Sequence, residues 1–243
     1  MSAVFRGMQG PLQAAFLINM GVGLVRRVLL PDMSGVSSGP LLLEFVVAGV
    51  QAFLLTPYLI AVHRFIVLNE AGQRYALAPA EQRFQLFFLW SMVLSLMYWL
   101  PSFAMSGLSK EPAVIFLAGI ATIVVLLLIA TTIISLRLVI LFPAIAVDAP
   151  GATWRNAMAD TKGNAWRILF VSLLAALPII VTVIVVAVIG ASIGLTSGKE
   201  TSALAWLITA GVVDGVVGVI AVTLAVVIAS RFYRELGKRV NQP

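Results

Sequence analysis

Asp214 has more scope for chemistry than any other residue of this sequence, because it is an acid set inside the apolar run AWLITAGVVDGVVGVIAV. An ionisable group in hydrocarbon costs about 2.5–3.5 kcal/mol on insertion scales, which makes each one a functional candidate. Counted from Ala203, Asp214 lies ~16 Å along a helix rising 1.5 Å per residue, close to the middle of a membrane span. Gln51 and Thr122 fall at comparable depths in their own apolar runs, so the three define a candidate intramembrane polar cluster. Such a cluster supports two chemistries. One is a carboxylate that couples to a proton or cation. The other is a buried, protonated acid that fixes helix packing through a hydrogen bond. The packing role is favoured, since no second acid or histidine lies at the same depth.

The remaining polar candidates have simpler explanations. Glu44 sits one turn inside the start of an apolar run, where a helix N-terminus favours a carboxylate. Arg137 lies ~34 Å along its run from Val114, at an interface that a snorkelling side chain reaches. His63 adjoins Arg64 at the end of another run, and a lone imidazole makes a poor metal site. The sequence has no cysteine, which excludes disulfides, thiol nucleophiles and thiolate-ligated clusters. No catalytic or cofactor motif stands out, so neither an enzyme, a cofactor nor a metal is expected.

The elements that must position these residues follow from composition. Hydrophobic residues make up 61% of the chain and charged residues 11%, and the mean hydropathy is +1.06. A soluble domain is roughly 45–50% apolar and about 25% charged. The apolar residues form uninterrupted runs at 41–62, 86–108, 114–136, 168–193 and 203–230, each long enough to cross a ~30 Å hydrocarbon core. The fold class expected is all-α, a polytopic transmembrane helix bundle. Residues 12–30 supply a further apolar stretch, but it contains Gln13 and Asn19 and ends in Arg26-Arg27. It is either a sixth span or an amphipathic surface helix carrying Phe5, Met8, Leu12 and Phe16 on one stripe. The six-span reading is preferred as the simpler insertion route, although it leaves two arginines on the side that basic residues avoid.

Basic residues set the orientation. The connections 63–85 and 137–167 and the tail from 231 carry eleven Lys and Arg, whereas 109–113 and 194–202 carry only Lys110 and Lys199. Cytoplasmic loops hold such an excess, so the C-terminus is expected inside. The basic residues flank apolar runs, a pattern of membrane topology that gives no reason to expect a nucleic-acid partner. Residues 33–40, MSGVSSGP, predict a Ser/Gly-rich loop.

Within 148–167, DAPGATWRNAMADTKGNAWR, Pro150-Gly151 breaks the chain and Thr153 is a fitting N-cap. A short interfacial helix over about 153–165 is expected, with Trp154, Trp166, Arg137, Arg155 and Arg167 as interfacial anchors. Gly211, Gly215 and Gly218 form a smooth face for close approach of another helix, flanking Asp214. Pro57, Pro101 and Pro178 are candidate kinks.

The segments SLRLVILFPAIAVDAPG and ADTKGNAWRILFVSLLAALP, within residues 135–178, resemble bacterial polytopic proteins similar to the membrane domain of glycerophosphoryl diester phosphodiesterases. The shared features are an Arg-containing helix end, a Pro-Ala-Ile turn and a Gly-Asn-x-Trp-Arg lead into the next span. The resemblance covers about a fifth of the chain. It implies a helical membrane domain in a bacterial inner membrane and supplies no reaction, because the phosphodiesterase chemistry of the fused enzymes belongs to a separate soluble domain. The function expected is therefore that of a non-enzymatic accessory or scaffold subunit, with membrane lipids and other integral membrane proteins as partners. A small secondary transporter using Asp214 is the alternative, and a lipid-acting membrane enzyme is third.

Overall fold

A computed structural model describes residues 8–29, 38–70, 72, 74–106, 114–192 and 203–242. Phe5 and the connections containing Lys110 and Lys199 lie outside the described residues, as does most of the 33–40 loop. That loop is shorter than expected, since the next helix already begins at Ser38.

Among the described residues the chain forms eight α-helices and no strand. Six are long: α1 (Gln9–Leu29), α2 (Ser38–Leu68), α3 (Gln82–Ser106), α4 (Val114–Arg137), α7 (Ala165–Ser192) and α8 (Ala203–Leu236). Two are short, α5 (Leu141–Ala146) and α6 (Trp154–Asp160), and a 3₁₀ turn, Arg239–Asn241, follows α8. Among the described residues five stretches are long and apolar enough to cross a membrane: Leu41–Leu68, Gln82–Phe103, Gly119–Arg137, Ala165–Val185 and Thr209–Leu236. The helices outrun the apolar runs at the end where the basic residues gather, called the basic end below. Hydrogen bonding there continues beyond the apolar stretch, as Arg231 and Arg234 in α8 illustrate.

Helix α1 lies along the bundle. Its largest contact is with α8, and it also packs on α2. Leu24 meets Gly211, Phe16 and Met20 meet Gly215, and Asn19 meets Gly218, so the two helices run antiparallel side by side. A helix lying flat on the surface could not hold that register over two turns. Of the two polar residues that weaken the hydropathy of α1, Asn19 turns inward, only 5% exposed, and Gln13 stays exposed.

The basic end carries a core of the kind found in water-soluble proteins. The apolar piece after Arg137 does not prolong α4. The chain turns at Leu138–Ile140 and forms α5, of which Leu141, Pro143, Ala144, Ile145 and Ala146 are buried. Around them pack Phe84 and Phe87 of α3, Ile168 of α7, Phe232 and Tyr233 of α8, and Val240. Burying a large aliphatic or aromatic side chain from water contributes about 1.5–3 kcal/mol, so this end anchors the bundle. Helix α6 starts on Thr153, whose hydroxyl accepts from the Asn156 N–H at 3.3 Å, as its residue type predicts. Helix α6 is shorter than the 153–165 expected, ending in a turn through Gly163 at φ +82°.

The tail closes against this turn region. Asp160 Oδ2 accepts from the Arg239 and Val240 N–H groups at 2.8 and 3.1 Å, and the Gly151 N–H donates to the Val240 carbonyl at 3.1 Å. A Cβ on Gly151 would strike the Arg239 and Gln242 carbonyls, so only glycine fits there. Asp160→Ala removes the acceptor of two N–H groups and is expected to cost about 1–2 kcal/mol. Hydrogen exchange checks it: the amides of Arg239 and Val240 should lose protection, and unchanged protection would mean Asp160 does not hold the tail.

Candidate functional site

The polar residues of the long helices pair along a seam where α1, α2 and α8 meet. On α2 the seam residues are Glu44, Gln51 and Tyr58, seven apart, a spacing that keeps side chains on one stripe of a packed helix. His63, five residues on, lies off that stripe but meets the same neighbour, α8. On α8 they are Asp214, Thr223 and Ser230, and on α1 they are Asn19, Arg26 and Arg27.

At the end opposite the basic one, Arg27 donates to Asp214 Oδ2 from Nη2 at 2.9 Å and from Nε at 3.3 Å. The approach depends on Gly23, one turn before Arg27 in α1. A Cβ there would sit 2.6 Å from Asp214 Oδ2, so the missing side chain is the carboxylate's seat. Arg26 Nε lies 3.2 Å from Glu44 Oε1, an ion pair by distance whose alignment makes no hydrogen bond. Both arginines are thus charge-balanced within the chain. Asp214 is the twelfth residue of α8, counted from Ala203.

One helical level deeper, Gln51 Nε2 donates to Asn19 Oδ1 at 2.9 Å while Asn19 Nδ2 donates to the Ala15 carbonyl at 2.7 Å. Further along, the Tyr58 and Thr223 hydroxyls share a hydrogen bond of 2.5 Å. His63 Nδ1 meets Ser230 Oγ at 2.7 Å. Tyr58, Thr223 and Ser230 are fully buried and His63 is 1% exposed, so the imidazole faces the interior of the bundle.

The cluster of Asp214, Gln51 and Thr122 is therefore not assembled. Asp214 is held by Arg27 and Gln51 by Asn19. Thr122 is exposed on α4, a helix that packs on α3 and α7. Equal depth along separate helices says nothing about which faces meet. Gly211, Gly215 and Gly218 do form a close-packing face, and its occupant is α1 of the same chain. Sequence reasoning missed Asn19, Tyr58, Thr223 and Ser230. The seven-residue spacing of Glu44, Gln51 and Tyr58 was the available signal.

Arg137 also departs from expectation. Its Nη2 donates to the Met158 carbonyl at 2.7 Å, and its own carbonyl accepts from Thr161 Oγ1 at 2.8 Å. The side chain staples α6 to the end of α4 instead of snorkelling, because α5 and α6 fold back over it. Trp154 and Trp166 are exposed, 45% and 72%. The Arg155 guanidinium lies 5.3 Å from the Trp154 ring centroid, and Arg167 pairs with Glu235 at 2.6 Å.

The basic end bears a cleft of about 340 Å³ beneath the 69–81 connection. Arg64 grips Glu70 Oε2 at 2.6 and 2.9 Å and reaches Asp148 at 3.3 Å, while Arg83 joins Asp148 at 3.1 Å and Glu81 at 2.6 Å. Asp148 holds this bridge from a left-handed backbone at φ +54°, a conformation that Asp tolerates better than most residues. One turn before Pro57, which removes a backbone donor from α2, the Leu54 carbonyl accepts from the Tyr75 hydroxyl at 2.7 Å. Burial pushes the Tyr75 phenol above its ordinary 10, so it remains a donor. The arginines here are matched by acids, which leaves little field to attract an anion. Among the described residues no three His, Cys, Asp or Glu side chains converge as metal ligands.

Among the described residues, five long apolar helices, of which α2 and α8 share a hydrogen-bonded seam with α1, define a multi-pass helical membrane protein. No protein family, no characterised protein and no solved structure matches the chain.

Proposed function

We propose that this chain is a non-enzymatic membrane protein of six spans, an accessory or scaffold subunit that acts by packing against other membrane proteins or lipids. The observation that carries this reading is the seam. Asp214, the polar residue best suited to transport, is engaged by Arg27 of the same chain, and the polar side chains below it are bonded pairwise between helices. Groups so engaged hold helices together. An ion-coupling site needs a carboxylate that exchanges its partner for an ion.

The helix faces turned away from the seam support the same reading. Within an 18-residue apolar window of the described residues, 6% is buried in α4 and in α7, against 22% in α2 and 28% in α8. Broad apolar faces of this kind suit lipid or the helices of a partner. The excess of basic residues at one end supports a cytoplasmic C-terminus. The likeness of residues 135–178 to the phosphodiesterase membrane domain supports a bacterial inner membrane and brings no reaction with it.

The test is purification of a tagged chain from its native membrane in nanodiscs, followed by mass spectrometry of what copurifies stoichiometrically. A defined partner complex is expected. A chain recovered alone would sink the accessory-subunit reading and make ion-flux assays on Asp214→Asn the next experiment.

A further inference from the structure

A recess of about 290 Å³ lies between α2, α3, α4 and α8, and its walls include His63, Phe87, Ser91, Ser135 and Ala225. Phe142 of α5, packed edge-on against Phe87 with centroids 5.0 Å apart, contributes a further wall. The space exists because the helices present small residues there, where larger ones would fill it.

Three features define what it would hold. Its lining contains no Asp, Glu, Lys or Arg, so a charged molecule would lose its hydration without compensation. Ala225 is exposed within the apolar stretch Thr209–Leu236, so the recess opens on the flank of the bundle, where hydrocarbon supplies what enters. Two hydrogen-bonding groups remain available at the wall. Ser135 Oγ has no hydrogen-bond partner and is closed to water in this rotamer, a condition that native structures rarely tolerate, and rotation about its Cα–Cβ bond turns it toward the recess that the residue lines. The seam takes His63 Nδ1 through Ser230, and no hydrogen bond to Nε2 is found among the described residues. An apolar pocket with a few convergent polar groups is the usual form of a small-molecule site.

We propose that this recess binds one neutral lipophilic molecule bearing a carbonyl or hydroxyl oxygen, admitted sideways from the bilayer, with that oxygen held by Ser135 and His63. The seam supplies the rigidity, since the Ser230 contact fixes the imidazole in place. The site does not depend on whether the outer faces of α4 and α7 recruit a partner.

The probe is hexadecanol carrying a mid-chain diazirine and a terminal alkyne, photolysed with the full chain in nanodiscs, with the corresponding alkane as comparison. The alcohol is expected to label peptides containing Ser91 and Ser135. Ser91→Leu, which fills the recess, should abolish that labelling. Ser135→Ala, which deletes a single oxygen, should reduce it about five-fold, the effect of one hydrogen bond. Because Ser135→Ala removes no packing volume beyond one atom, it carries the test should Ser91→Leu fail to fold. Labelling spread over α4 and α7 and indifferent to both substitutions would overturn the site. Equal labelling by the alkane would overturn recognition of the oxygen.

Discussion

Gly215→Leu is expected to release α1 from the bundle. A Cβ at Gly215 would lie 2.8 Å from Phe16 Cε2 and 3.2 Å from Met20 Cβ, inside the contact distance of any carbon pair, and the rest of a leucine would reach further. Phe16 has room on one side, in a recess of about 330 Å³ that it lines with Leu12 and Val216, but Met20 cannot retreat. Phe16 packs in the cluster formed by Met8, Ala15, Tyr58 and Val219, and the Met20 atom concerned is the Cβ, which moves only with the backbone. Overpacking a tight site costs about 1–3 kcal/mol, and here the strain falls on the interface that secures a whole helix. The chain has no native cysteine among the residues described, so Met8→Cys provides a reporter. Met8 is fully buried, and a maleimide should modify the substituted cysteine only where α1 has come away. Gly21→Leu is the control, because a Cβ there meets nothing within 4 Å. Equal labelling of the two glycine variants would show that the glycine face of α8 does not dock α1.

The ion pair at the far end should give the second large effect. Arg27→Leu and Asp214→Leu each strand one charge in apolar surroundings, and each is expected to cost about 2 kcal/mol. This is less than the 3–5 kcal/mol of a fully buried pair, because the two side chains are 35% and 37% exposed. The double substitution removes both charges, so it should cost no more than either single one, a coupling of at least ~2 kcal/mol. Reversible unfolding in mixed micelles measures all three variants. Additive costs would mean that the pair contributes nothing and that Asp214 is free for other work. Asp214→Asn separates the roles further. It keeps the shape and a hydrogen-bonding group but leaves Arg27 without its counter-charge, and it should destabilise nearly as much as Asp214→Leu if the charge itself matters.

How far the arrangement is legible beforehand differs from residue to residue. The long helices are legible because a bilayer demands continuous apolar runs, and such runs survive any rotation of the helix about its axis. Each observed helix agrees with its run to within a few residues except where polar residues extend it, as at 231–236 of α8. The close-packing face of Gly211, Gly215 and Gly218 is equally legible, since a helix without side chains on one face must admit something there. What it admits is not. That the occupant is α1 depends on Phe16, Asn19, Met20 and Leu24 matching those gaps in antiparallel register.

The sequence by itself determined the class of the protein, the number of strongly apolar helices and the end at which basic residues gather, because these follow from transfer free energies summed along the chain. Tertiary structure alone decided which polar groups meet. Asp214 pairs with Arg27, 187 positions away, and not with Gln51 or Thr122 at similar depth, because pairing is set by helix rotation and by which helices are neighbours. The same holds for Arg137, whose exposure to the interface was removed by α6 folding back over it, and for His63, buried by Ser230 of α8. Burial and partnership are properties of faces in contact, and a one-dimensional hydropathy profile carries depth but no azimuth.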